Sequence, residues 1–323
     1  MNFHETDHFN GQRFFNPEPP RSADAPNRGG LLRFLSARLS RDQKVWARWP
    51  THLENKSYPP PNEKTPSVTW IGHSSFLLCL GGMNVLTDPV FSKRCSPVSF
   101  FGPKRVRDPG ITIESLPRID LILLSHNHYD HMDIPALRLI RRRFPEARIV
   151  TSLGNAAFLA SKNLHCAVEL DWWQSINFCH MKITATPACH FAARSLRDRN
   201  KTLWVGFMLS YRGKNFYFAG DSGYTKGFVE IHERLGPPDL AFLPIGAYQP
   251  RDMMARVHMN PEEAVQAFLD LQATRAVGMH FGTFQLTAEP IDEPPQRLVE
   301  VLMEKEIPLE TFFVLDVGET KKL

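Results

Sequence analysis

The sequence has few cysteines, and none of them are arranged as a metal-binding or redox pair. Five occur in 323 residues, and no two show the Cys-x-x-Cys spacing. An odd and widely spaced set does not suit a disulfide framework, so reduced thiols are expected. These cysteines are Cys79, Cys95, Cys166, Cys179 and Cys189.

Long apolar runs and a signal peptide are also missing. No stretch is apolar for long enough to span a bilayer, and residues 1–5 lack the basic start and apolar centre of a secretory signal. We therefore expect a cytoplasmic protein, with peripheral contact to a membrane and a homodimer left open. The net charge of +4 favours phosphate-bearing or membrane-surface partners. Nucleic acid is not expected, because no dense Lys/Arg stripe with interleaved aromatics is present.

Proline and basic residues separate the start of the chain from the remainder. We interpret residues 1–65 as a Pro-rich basic extension and residues 66–323 as the main domain, which is large enough to bury a sizeable core. Within the extension, the spacing of apolar residues over 31–49 predicts an amphipathic helix that also carries basic side chains. Such a helix either lies on an anionic membrane or packs on the main domain.

A cluster of ionisable side chains follows the apolar strand predicted over residues 121–125. Three imidazoles and a carboxylate occur within six positions, an arrangement that indicates a metal site because these groups need a shared cation to compensate one another. His at i and i+2 of an extended segment point to the same side. The next pair lies where the apolar pattern of Met132, Ile134, Leu137, Leu139 and Ile140 predicts a helix. The cluster consists of His126, His128, Asp130 and His131.

Three later segments also end in a potential ligand after a β-prone or apolar run. They deliver His190, Asp221 and His280. If these strands share a sheet edge, the ligands converge as three His on one ion, Asp and two His on a second, and one carboxylate between them. His73 and Asp88 lie at the ends of earlier strands. Each could either support a metal ligand or cap a turn.

Several blocks resemble the branch of the metallo-β-lactamase superfamily that hydrolyses N-acylphosphatidylethanolamine by a phospholipase D reaction. The HxHxDH signature is present at residues 126–131, and the other blocks are Leu86–Phe91, Gly102–Arg105, Phe218–Tyr224, Pro244–Tyr248 and His280–Phe284. This resemblance implies an α/β fold, the four-layer αββα sandwich, with two zinc ions. His126, His128 and His190 would bind one ion, Asp130, His131 and His280 the other, and Asp221 would bridge them.

The resemblance also implies catalytic roles for Asp130, Asp221 and His258, and substrate contacts by Tyr129 and His258. His258 has an alternative role as the cap of a helix that begins near Pro261. The implied reaction is zinc-dependent hydrolysis of a phosphodiester, releasing N-acylethanolamine and phosphatidic acid. The long loop over residues 91–111 is either a substrate loop or an ordinary solvated loop.

Three other functions fit the same residues. The first is another hydrolase of the superfamily, acting on a small phosphodiester or a lactone. The second is an iron-dependent oxidoreductase, since imidazole suits iron as well as zinc. The third is a metal-stabilised binding protein, which the sequence disfavours because structural zinc sites are usually closed and rich in cysteine.

Overall fold

The computed structural model describes residues 4–17, 46, 65–165 and 167–323. All fourteen strands among the described residues belong to two seven-stranded sheets. The first sheet contains β1 (Ser67–Gly72), β2 (Ser75–Cys79), β3 (Asn84–Thr87), β4 (Leu121–Leu124), β5 (Arg148–Ser152) and β6 (Ala167–Leu170), with β14 (Thr320–Lys322) added beside β1. The second contains β7 (Ser175–Phe178), β8 (Met181–Thr186), β9 (Gly206–Tyr211), β10 (Lys214–Phe218), β11 (Leu240–Pro244), β12 (Ala276–Met279) and β13 (Phe312–Phe313).

Both sheets follow the same pattern of strand direction. Strands β1 to β3 are antiparallel, and β3 to β6 are parallel. In the second sheet, β7 to β10 are antiparallel and β10 to β13 are parallel. Strands β3 and β10 therefore each pair antiparallel with one neighbour and parallel with the other. Strand β3 leads to Asp88, and strand β10 leads to Asp221.

Helices cover the outer faces of the sheets. They are α1 (Ile134–Arg143), α2 (Asn155–Ser161), α3 (Gly227–Leu235), α4 (Arg251–Met254), α5 (Pro261–Asp270) and α6 (Glu293–Glu304), and a 3-10 turn spans Ile113–Ser115. The apolar strand β4 shows how the layers form, because Leu121 and Leu123 pack between the sheets whereas Ile122 and Leu124 pack on the α1 side. The predicted αββα sandwich is confirmed.

Helix α1 begins directly after the HxHxDH segment. The side chain of Asp133 accepts a hydrogen bond from the Ala136 N–H and caps the helix, and a proline lies in its first turn. Leu137 and Ile140 are buried on its inner face as predicted. The expectation for Leu139 was wrong, since this side chain is 48% exposed. Because this cap fixes where α1 begins, the HxHxDH segment lies directly before the N-terminus of the helix.

Residues 4–17 pack against the domain. Phe9 and Phe14 are buried in the main core, and the His8 ring lies 4.2 Å from the Trp172 ring. The predicted helix over 31–49 lies outside the described residues, apart from the buried Trp46. The division of the chain at residue 65 stays a prediction.

Disulfides and membrane-spanning helices are both absent from the described residues. Cys79, Cys95, Cys179 and Cys189 form no disulfide with one another. Among the helices that the structure describes, none combines the length and apolar character needed to cross a bilayer.

Candidate metal centre

The seven predicted ligands meet at one end of the sandwich. The strands that lead to them are divided between the two sheets, so the ligands converge without the single shared edge that the sequence argument took as its condition. Strand β4 of the first sheet leads to the HxHxDH segment, and strands β8, β10 and β12 of the second sheet lead to His190, Asp221 and His280. Side chains from both sheets therefore converge on one buried volume.

One group consists of three imidazoles. The His126 Nε2 and His128 Nδ1 atoms are 2.8 Å apart, and His190 Nε2 lies 3.2 Å from the same His128 atom. Burial, together with neighbouring histidines, holds the pKa of His126 well below its usual range and lowers that of His128 to about 3. These rings are therefore neutral near pH 7, which is the form that binds a metal.

A second group surrounds two carboxylates. Asp221 Oδ2 lies 3.0 Å from His280 Nε2 and 3.1 Å from His131 Nε2. Asp130 Oδ2 lies 3.5 Å from each of those ring atoms. The same Asp221 oxygen is 3.6 Å from His190 Nε2, so Asp221 lies between the two groups.

This arrangement fits a pair of cations. The ring nitrogens of the first group face one another as neighbouring lone pairs when each ring carries its proton on the outer nitrogen. His131 Nε2 and His280 Nε2 face Asp221 at 3.1 and 3.0 Å without hydrogen-bond geometry, and Asp221 Oδ1 is buried without a hydrogen-bond partner. Burial opposes charge on His280, yet Asp221 and Asp130 raise its pKa to about 9. The two carboxylates thus favour positive charge at this place, which a bound cation would supply instead of a ring proton. The all-nitrogen-and-oxygen donor set suits zinc and also iron.

Outer hydrogen bonds fix the orientation of three ligand rings. The His131 Nδ1 atom donates to Asp88 Oδ2 at 2.7 Å, and His190 Nδ1 donates to the Val257 carbonyl oxygen at 2.9 Å. His126 Nδ1 lies 2.9 Å from the Ser125 hydroxyl. Because the outer nitrogen of each ring is engaged, the Nε2 lone pair is directed into the centre.

The backbone is strained at several of these positions. His73, Asp88 and His280 adopt φ values of 55°, 30° and 64°, a region that non-glycine residues rarely occupy. Such conformations cost roughly 1–3 kcal/mol each and cluster at functional sites. Gly220, with φ of 61°, precedes Asp221, and a Cβ atom there would lie 2.8 Å from the Ser125 Cβ. The glycine lets the segment after β10 approach the end of β4.

His73 is a member of the centre that the sequence identified only as a strand-end residue. Its Nε2 lies 3.0 Å from Asp130 Oδ2, and its ring lies 4.1 Å from the His280 ring. Burial, followed by the charge on His280, lowers the pKa of His73 to about 3. His73 thus contacts a predicted ligand from outside the predicted set, whereas Asp88 supports His131. Both therefore contact candidate ligands, which favours the first of the two roles left open.

The predicted substrate residues lie in different surroundings. The His258 ring is 5.0 Å from the His190 ring and 5.1 Å from the His280 ring, and its buried Nδ1 forms no hydrogen bond. The alternative capping role is wrong, because Asn260 caps α5 through a capping box with Glu263.

The second predicted substrate residue, Tyr129, is held by Arg194. The Tyr129 hydroxyl donates to the Arg194 carbonyl oxygen at 3.0 Å, and the guanidinium lies 3.9 Å from the centre of the Tyr129 ring. Arg194 Nη1 also donates to the carbonyl oxygens of Asn127 and Met132, at 2.7 and 2.9 Å. Arg194 therefore fixes the ends of the ligand segment, and a substrate contact by Tyr129 stays a prediction.

The N-terminal segment also supports a ligand. The Asn16 Nδ2 group donates to the His190 carbonyl oxygen at 2.9 Å, and Asn16 Oδ1 accepts from the His190 N–H at 3.3 Å and from Trp204 Nε1 at 3.0 Å. Asn16 thus holds the backbone of a candidate ligand although it lies 174 residues earlier in the chain. A truncation at residue 50 would remove this contact.

We expect Asn16→Ala to lower metal affinity by about 10- to 100-fold, as is usual when a group that orients a ligand is lost. Metal content after dialysis against graded chelator concentrations measures this effect. Gln12→Ala, in an exposed part of the same segment, is the control and should retain the metal. Equal retention by the two variants would show that Asn16 does not position His190.

The fold and the site define a metal-dependent hydrolase of the metallo-β-lactamase type. Residues 83–281 match the Beta-lactamase superfamily domain, so the chain belongs to that superfamily. It is 38% identical over 264 residues, 78% of this chain and 74% of the relative, to N-acyl-phosphatidylethanolamine-hydrolyzing phospholipase D 1 of Caenorhabditis elegans. The predicted resemblance to that branch is confirmed.

Solved structures agree on the fold. A metallo hydrolase from Ignicoccus hospitalis, Igni18, superposes with a TM-score of 0.60 at 25% identity, covering 80% of this chain and 98% of that one. CmlA, a diiron β-hydroxylase from Streptomyces venezuelae, has a TM-score of 0.60 at 21% identity, covering 82% of this chain and 55% of that one. The second likeness concerns the fold alone.

Proposed function

We propose that this hydrolase is a binuclear zinc phosphodiesterase of the phospholipase D type, which releases N-acylethanolamine and phosphatidic acid from N-acylphosphatidylethanolamine. The observation that carries the proposal is the position of Asp221, whose carboxylate lies between a group of three imidazoles and a group formed by Asp130, His131 and His280. The identity to the worm enzyme supports the choice of substrate.

In this proposal His126, His128 and His190 would hold one zinc ion, Asp130, His131 and His280 would hold the other, and Asp221 would serve both. Two such ions activate water and stabilise the charge on a phosphodiester during in-line displacement. Asp130, with 13% of its side chain exposed, is the most accessible of the carboxylates at the centre. The substrate phosphate would therefore approach from the side of Asp130.

His258 is proposed to contact the reacting phosphodiester. Its Nδ1 atom lies 4.0 Å from Asp221 Oδ2 and has no hydrogen-bond partner. Burial holds the pKa of His258 well below its usual range, so the ring is neutral near pH 7. A neutral ring that carries its proton on Nδ1 can donate a hydrogen bond to the oxygen of the leaving alcohol.

The proposal is tested by mass spectrometry of products formed in ¹⁸O-labelled water. Zinc-loaded protein is incubated in parallel with N-acylphosphatidylethanolamine, a simple aryl phosphodiester and a lactone. We expect unlabelled N-acylethanolamine together with phosphatidic acid that carries one ¹⁸O atom, because water attacks phosphorus. Turnover of the aryl diester or the lactone without turnover of the phospholipid would replace this proposal with another hydrolase of the superfamily.

A further inference from the structure

The loop between β3 and the 3-10 turn is a hairpin with two exposed aromatic side chains at its tip. Arg94 and Lys104 form an antiparallel bridge, and the Arg105 N–H donates to the Lys93 carbonyl oxygen at 2.9 Å. Beyond this closed base, Phe100 is 80% exposed and Phe101 is 74% exposed. No other phenylalanine in the described part of the chain exposes as large a fraction of its surface.

The base of this hairpin is fixed to the domain close to the metal centre. The buried Arg105 side chain donates to the Val90 carbonyl oxygen at 2.6 Å, and its guanidinium lies 4.9 Å from the centre of the Phe284 ring. Arg105 and Phe284 also form an antiparallel bridge. Phe284 follows the candidate ligand His280 by four residues. The hairpin therefore holds its tip at a defined place relative to the centre.

Positive charge surrounds the tip. The sequence from Ser92 to Arg107 contains no aspartate or glutamate, and Lys93 and Lys104 are exposed. A cavity of about 820 Å³ lies beside the tip and is lined by its residues 96–99. The cations that line this cavity are Lys93, Arg94, Arg138, Lys162 and Arg194.

The two carboxylates in that cavity are already engaged by the protein. Asp133 accepts from the Ser92 and Ala136 N–H groups, and Asp198 accepts from the Arg194 and Ser195 N–H groups. Arg94 and Arg194 likewise donate to carbonyl oxygens of the protein, and five cations against two carboxylates give the cavity a net positive charge. Aromatic side chains beside an excess of Lys and Arg are the features by which proteins contact an anionic membrane surface.

We propose that the hairpin tip and this cationic cavity form a docking surface for a lipid bilayer with anionic head groups. Phe100 and Phe101 enter the boundary between head groups and acyl chains, while the exposed side chains of Lys93, Lys104 and Arg138 face the lipid phosphates. The proposal goes beyond the proposed reaction, since it assigns the surface through which the enzyme meets a membrane.

The test is co-sedimentation of the full-length protein with sucrose-loaded vesicles, which requires no catalysis and so is independent of the proposed reaction. Vesicles contain phosphatidylcholine alone or phosphatidylcholine with phosphatidylglycerol. We expect the protein to bind the anionic vesicles more tightly. Phe100→Ser with Phe101→Ser should weaken this binding by at least about tenfold, because two large apolar side chains no longer leave water. Lys93→Glu with Lys104→Glu should weaken it by about tenfold or more and reduce its salt dependence.

Met303→Ser is the matched control, because Met303 is 65% exposed on α6, outside the hairpin. This variant should bind vesicles as the unmodified protein does. Wild-type binding by the double phenylalanine variant would overturn the proposal and assign any membrane contact to another part of the chain. Equal binding to both kinds of vesicle would overturn the proposal that the cations beside the tip select an anionic bilayer. A change in oligomeric state of the phenylalanine variant without a change in vesicle binding would instead identify the tip as an interface between copies.

Discussion

Asp221→Asn should reduce turnover by about a thousandfold and lower the amount of metal bound per chain. Asparagine keeps the shape of the side chain but removes the charge that faces His131, His190 and His280 at 3.0 to 3.6 Å. Loss of one preorganised electrostatic group at a reacting centre typically costs about a hundred- to a thousandfold. Here the same change also removes the proposed bridge, so the effect is expected at the upper end.

Activity assays with elemental analysis of the purified variant measure both effects. The matched control is Asp239→Asn, which replaces a carboxylate that pairs with the exposed Lys214 at 2.6 Å. That variant should keep its metal and its activity, because exposed ion pairs contribute little. Circular dichroism checks that both variants fold. Normal turnover with a full metal complement in folded Asp221→Asn would rule out a bridging carboxylate.

Removal of the metal should abolish activity and lower the melting temperature by roughly 10 °C. A ligand present at a thousand times its dissociation constant stabilises the folded state by about 4 kcal/mol, and in a domain of this size each kcal/mol changes the melting temperature by about 2–4 °C. The physical origin is the cluster itself, in which unpartnered ring nitrogens and carboxylates are buried together.

Adding metals back to the chelated protein identifies the cofactor. We expect two zinc ions per chain to restore both the melting temperature and the activity, whereas Mg²⁺ should restore neither because it prefers an oxygen shell. Recovery with iron and not with zinc would contradict the zinc assignment and favour the oxidoreductase alternative. Recovery at one ion per chain would contradict a binuclear centre.

The sequence predicted the parts of the site that are encoded locally. The HxHxDH segment can be recognised in the sequence because it directly follows the apolar strand. The recurrence of potential ligands at the ends of later strands predicted that His190, Asp221 and His280 would lie beside it. The cap of α5 was also readable, since Asn260 and Glu263 have the capping-box spacing. The prediction for His258 overlooked that signal.

Other contributions depend on contacts between distant parts of the chain. Asn16 reaches His190 across 174 residues, and His73 reaches Asp130 across 57. Nothing in the local spacing around Asn16 or Arg194 distinguishes a residue that holds a backbone carbonyl from a solvated one. The allocation of the ligand strands to two sheets was hidden for the same reason, because strand pairing is a long-range property that periodicity does not report.

Because the candidate ligands come from both sheets, metal binding is coupled to the packing of the two sheets against each other. In the proposed centre, each cation takes two side chains from the segment after β4 and one from the second half of the chain, with Asp221 shared. Neither half could assemble this coordination sphere alone, so the ions act as a cross-link between two similarly wound halves. Substitutions that loosen the core between the sheets would then weaken metal retention even at positions remote from every ligand.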